Sequence, residues 1–156
     1  MSEFLDAFDR KILAAVQQDS SRSTADVAAL VGLSQAPCWR RIQRLKDAGY
    51  IRGEVALLDR RKIGLNAQIF AQVKLTATGR SNLEEFTAAI REFPEVLECF
   101  VLLGTVDFML KIVARDIEAY ERFFFEKLSR VPGVQEVNSM VALSEIKATT
   151  ELPIDA

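Results

Sequence analysis

Arg40, Gln43 and Arg44 carry the clearest chemistry in this chain. An arginine fork pairs with guanine O6 and N7 or with a phosphate, and a glutamine amide pairs with adenine N6 and N7. Cys38, Ile42 and Leu45 follow at i, i+4 and i+7, the inward stripe of one helix. That spacing turns Ser34, Gln35, Ala36, Trp39, Arg40, Gln43 and Arg44 toward a groove or phosphates. Trp39 either meets a thymine methyl or sugar or packs on a neighbouring helix. Arg41 falls nearer the buried edge, as a structural or phosphate residue. Cys38, on the inward stripe, reads as a small core hydrophobe.

A second candidate is Gly104-Thr105-Val106-Asp107. Read as a tight turn, it exposes backbone N–H and C=O groups that hold an α-carboxylate and α-amino group, with Asp107 pairing an ammonium. The alternative is an ordinary hairpin with an aspartate at its exit.

Composition removes other chemistries. The 156 residues include no histidine, which excludes Ser-His-Asp and Cys-His catalysis and histidine metal ligation. The two cysteines, Cys38 and Cys99, form no C-x-x-C pair, and no Asp or Glu cluster completes a zinc site. No paired carboxylates share a motif and no phosphate-binding loop is present, so no enzyme, cofactor or metal is expected. No apolar run reaches membrane-spanning length, and the N-terminus lacks the basic and apolar regions of a secretory signal. A cytoplasmic location is expected.

Apolar spacing and helix stops supply the elements. Leu5, Phe8, Ile12, Leu13 and Val16 form one helical stripe. A second helix begins at Ser23 or Thr24, buries Val27, Leu30 and Val31, and stops at Gly32. Ser34 caps the third, Pro37 sits in its first turn at little cost, and the helix ends near Gly49. Helix, short glycine turn and basic helix make a helix-turn-helix. Residues 53–59 read as a strand, the wing of a winged variant or its exit. Beyond Arg60-Arg61-Lys62-Ile63-Gly64 the pattern changes. Strands are expected at 68–76, 97–103, 108–114 and 134–147, and helices from a Ser81 cap to Pro94 and from Ile117 to Leu128. The order β-α-β-β-α-β is the ferredoxin-like arrangement. One sheet face stays open and apolar, which calls for a second copy.

The fold class expected is therefore α+β: a winged or plain helix-turn-helix over residues 1–52, a linker over 53–64 and a ferredoxin-like domain over 65–156. Charge follows that division. Residues 1–62 hold 11 Lys and Arg against 8 Asp and Glu, whereas 63–156 hold 9 against 14. Residues 27–46 carry four basic residues and no acid. A polyanion partner at one end follows, with a solvated helix face as the alternative.

These residues together resemble the Lrp/AsnC family of bacterial transcription factors. The matching pieces run from Asp9-Arg10-Lys11-Ile12-Leu13 through Val31-Gly32-Leu33-Ser34, Arg40-Arg41-Ile42-Gln43-Arg44-Leu45 and Gly104-Thr105-Val106-Asp107-Phe108 to Glu145-Ile146-Lys147. The resemblance implies binding to double-stranded operator DNA and a homodimer that assembles into tetramers or octamers. It also implies an amino-acid effector held at Gly104, Thr105, Val106, Asp107 and Phe108, with Ser139 and Met140 as further lining. Pro37-Cys38-Trp39-Arg40-Arg41 is similar to a branch that includes cysteine-responsive members, which makes cysteine the leading effector. The regulator is expected to be nucleoid-associated in the cytoplasm. An architectural, global DNA-binding protein with little effector response is the alternative, distinguished by strong salt dependence and weak sequence preference.

Overall fold

The computed structural model describes residues 4–154. They divide into two compact units, 4–57 with 147–154, and 58–146.

The first unit is built on α1 (Ala7–Gln18), α2 (Thr24–Val31) and α3 (Gln35–Asp47). Capping boxes start the first two helices. Asp6 accepts from the Asp9 N–H at 2.8 Å while the Asp9 carboxylate accepts from the Asp6 N–H at 3.2 Å, and Ser23 and Asp26 repeat the exchange on α2. Gly32 ends α2 with φ 77°, a left-handed conformation that favours glycine. The turn to α3 is therefore Gly32-Leu33-Ser34. Ser34 occupies the cap position, but its hydroxyl makes no cap hydrogen bond, contrary to expectation. The third helical residue is Pro37, which has no N–H to offer it.

Ile12, Val27, Val31, Cys38, Ile42 and Leu45 form this unit's core. Two expected core members, Phe8 and Leu30, are exposed instead. On α1 the residue beside Phe8, Asp9, is buried in its place at 1% exposure. No strand forms over 53–59, where Val55, Leu57 and Leu58 are exposed, and no wing follows α3. The pattern there has strand composition without a neighbouring strand to pair with, and a lone strand is unstable. The C-terminal residues belong to this unit: the Gln17 side chain donates to the Leu152 carbonyl and accepts from its N–H, both at 2.9 Å.

The second unit runs β1 (Ala67–Leu75), α4 (Ala77–Ser81), α5 (Leu83–Arg91), β2 (Val96–Val101), β3 (Phe108–Ala114), α6 (Ile117–Glu126), a 3₁₀ turn at Leu128–Arg130 and β4 (Val134–Val141). The sheet is antiparallel in the order β2-β3-β1-β4, the ferredoxin-like topology. Ile69, Ala71, Val73 and Leu75 of β1 face the helices with Leu110 and Ile112 of β3, and Phe86 of α5 stacks on Phe108 with ring centroids 4.4 Å apart. Phe70, Phe100, Met109 and Met140 occupy the other face. They share it with polar pairs, Lys111 on Glu98 at 3.0 Å and Asn138 on Gln72 at 3.3 Å, so the open face is mixed.

Three boundaries differ from expectation. Thr76, not Ser81, provides a cap, accepting from the Gly79 N–H at 3.0 Å to start the extra turn α4. Residues 102–107 form a six-residue loop rather than a tight turn, closed by Leu102 N–H to the Asp107 carbonyl at 2.9 Å. β4 ends at Val141 instead of 147, because its partner β1 begins at Ala67 and leaves little further strand to pair.

Candidate functional site

α3 presents two faces. Cys38, Ile42 and Leu45 are buried, and burial pushes the Cys38 thiol up against the opposing pull of Arg41. On the other side Ser34, Gln35, Ala36 and Arg40 are exposed and Gln43 is half-buried. Trp39 is 53% exposed, so its ring is not packed away beneath α1. A helix in this setting, preceded by a three-residue turn, has the dimensions and donors to enter a major groove.

The arginines differ sharply from one another. Arg41 donates to Asp6 at 2.7 Å and to Asp9 at 2.8 Å, and its guanidinium lies over the Phe8 ring at 5.6 Å. The Asp9 N–H and Arg41 together hold the Asp6 carboxyl below its ordinary range. Arg44 donates to Asp9 at 2.6 Å while its side chain stays 42% exposed. Lys46 pairs with Glu54 at 2.8 Å. Among the described residues, Arg40 is the only cation of α3 without an ion pair. The basic helix of the sequence is thus largely neutralised by acids from outside 27–46. Sequence reasoning missed Asp6 and Asp9, whose only local signal is a capping box.

In the second unit, the 102–107 loop leaves Gly104 and Thr105 exposed, with Val106 and Asp107 half-buried. Asp107 is already occupied. Its Oδ2 accepts from the Leu75 N–H at 2.7 Å, its Oδ1 from Arg80 Nε at 3.0 Å, and its own N–H donates to the Val73 carbonyl at 2.9 Å. The Leu75 amide, followed by Arg80, holds its carboxyl below the ordinary range. Arg80 was missed because its segment has no helical periodicity long enough to register. It is placed by α4, which approaches the chain before β4 so closely that a Cβ at Gly79 would lie 2.7 Å from the Gly133 carbonyl oxygen. Thr76 N–H donates to that same carbonyl at 2.8 Å. Asp107 and Arg80 set a carboxylate beside a guanidinium, a match for the two charges of an amino acid.

The remaining expected effector residues lie elsewhere. The Phe108 side chain is core, against Phe86. Ser139 faces the helices, sharing a short hydrogen bond with the Tyr120 hydroxyl at a cavity of about 300 Å³ that Ile117, Phe124 and Val137 also line. Met140 is on the open face, opposite Phe70. Among the described residues no group of three or more metal-ligating side chains is gathered, and no helix is long and apolar enough to cross a membrane.

A helix-turn-helix joined in one chain to a ferredoxin-like unit defines a DNA-binding regulator rather than an enzyme. The comparisons with known proteins agree. Residues 5–46 match the AsnC-type helix-turn-helix domain and residues 68–152 the Lrp/AsnC ligand binding domain. The chain belongs to the Lrp/AsnC family of transcriptional regulators. It is 41% identical to the proline dehydrogenase transcriptional activator of Rhizobium radiobacter, across 93% of both chains. It is 38% identical to the DNA-binding transcriptional activator DecR of Escherichia coli K12, across 97% of this chain and 99% of the other. Its structure is similar to that of the transcriptional regulator NMB0573 of Neisseria meningitidis in complex with L-Met, with TM-score 0.92, 37% identity and coverage of 96% and 97%.

Proposed function

We propose that this chain regulates genes of amino-acid metabolism by binding an operator through α3 and adjusting that binding to an amino-acid effector. The single observation that carries the reading is the exposed row Gln35, Ala36, Trp39 and Arg40 on a helix whose other side is core. Ser34, Gln43 and Arg44 complete the proposed DNA-binding set, with Arg44 reaching phosphate while held by Asp9.

The effector is a free amino acid held at the Gly104-Thr105-Val106 backbone, whose ammonium takes the place of Arg80 on Asp107 while its carboxylate takes the guanidinium so released. Support comes from the relative solved with L-Met. Cysteine remains the leading effector, supported by the Pro37-Cys38-Trp39-Arg40-Arg41 resemblance alone. Phe108 contributes backbone only. Ser139 and Met140 lie on opposite faces of β4 and reach one effector only if copies of the chain assemble. Self-association through Phe70, Phe100, Met109 and Met140 builds the homodimer, and further assembly gives tetramers or octamers. Two α3 helices then meet a pseudo-palindromic or phased site. This reading places the protein in the cytoplasm, at the nucleoid. Neutralised cations on α3 favour it over the architectural alternative, which depends on unpaired charge.

Titration of the protein's own promoter fragment with and without each of the twenty amino acids tests it. A shift in operator affinity of about 5- to 150-fold with one of them is expected. Specific binding that none of the twenty alters would remove the effector role.

A further inference from the structure

Asp6, Asp9, Arg41 and Arg44 make a closed group of two negative and two positive charges across α1 and α3, with contacts of 2.6 to 2.8 Å. Asp9 sits at its centre, almost wholly excluded from water, accepting from both arginines and from the Asp6 N–H. A buried carboxylate must keep its partners, because an unpaired charge in that position is costly. Arg44 is therefore restrained at Nη2 while the rest of its exposed guanidinium remains available.

We propose that Asp6 and Asp9 are specificity-determining residues. They act as a built-in counter-charge that suppresses binding of α3 to arbitrary DNA and restricts Arg44 to a positioning contact. Base discrimination then falls to Arg40 and Gln43. The proposal rests on α3 being the DNA-reading helix. Affinity for any duplex scales with the cationic charge that displaces counterions from phosphates, independent of sequence. Two acids on the reading unit subtract from that term and leave base-edge contacts untouched. The acids are the N-cap residue of α1, Asp6, and Asp9 in its first turn, which together form its capping box. One pair of residues thus starts a helix and sets the charge of another.

The test uses the full chain, a random-sequence duplex, and a duplex selected by the unmodified protein from a randomised library. Asp9→Asn removes the central charge. Asp6→Asn removes the outer one while keeping an effective helix cap, and it keeps the test decisive if Asp9→Asn does not fold. Each folded variant is expected to bind the random duplex about five- to tenfold more tightly at fixed salt, with a log–log salt slope steeper by roughly 0.9. The preference for the selected duplex falls accordingly. In an Arg44→Gln background the gain from Asp9→Asn is expected to shrink, since a cation that Asp9 holds is missing, whereas the gain from Asp6→Asn, whose partner is Arg41, is expected to persist. A purely structural role for the acids predicts weaker binding to both duplexes and no steeper slope; that result, or unchanged random-duplex affinity in folded Asp6→Asn, overturns the proposal. If the unmodified protein selects no duplex, the assignment of α3 fails first, and the counter-charge with it.

Discussion

Asp107 is fixed on both carboxylate oxygens by contacts within the protein. Its carboxylate caps the end of β1 through the Leu75 N–H and pairs with Arg80. Both contacts favour the ionised form, so its proton affinity in the folded state is below the ordinary value of 3.8. The stabilisation is fully present above that ordinary value and is lost as pH falls through the lower, folded value. Protection of the Leu75 amide from hydrogen exchange is expected to fall over that acid window. In Asp107→Asn the protection should be lower at neutral pH and show no step there. A step of equal size in the variant would mean that another group controls the loop. Legibility at this scale was uneven. Asp107 stood out beside Gly104, but Arg80 lies 27 residues away in sequence and had no visible tie to it.

Elements were legible where a local rule acts. Gly32 at φ 77° and Gly49 at φ 78° end helices as their positions in sequence imply, and Cys38, Ile42 and Leu45 mark the buried side of α3. Elements were not legible where a distant segment decides. Residues 53–59 have the composition of a strand but no partner, and β4 stops where β1 runs out. The charge of α3 was misleading for the same reason, because Asp6 and Asp9 stand 32 to 35 residues before the arginines they neutralise. α4 is another element set by a distant contact, the backbone of Gly79 against that of Gly133. A methyl at Gly79 meets backbone rather than a yielding side chain. Gly79→Ala is expected to destabilise the second unit by about 1–3 kcal/mol in thermal unfolding and to weaken effector binding by displacing Arg80. Wild-type stability in this variant would show that α4 moves freely.

At the scale of the whole molecule, two units carry two kinds of recognition. Residues 1–62 have a net charge of +3 and 63–156 of −5, but Arg60, Arg61 and Lys62 belong to the second unit, so attraction of the first unit to a polyanion rests on where the cations of α3 lie rather than on net charge. On the proposed reading, ion pairing restrains even that attraction, and recognition of DNA depends on the few unpaired groups of α3. Arg40 is central among them. The most direct measurement is the affinity of Arg40→Ala, relative to the unmodified chain, for a duplex selected by the unmodified chain. A bidentate contact with guanine is worth about 1–3 kcal/mol. A loss of roughly 5- to 150-fold on the selected duplex is therefore expected, with far-UV circular dichroism unchanged and a much smaller loss on random sequence. Equal affinity of both proteins for the selected duplex would contradict α3 as the reading helix.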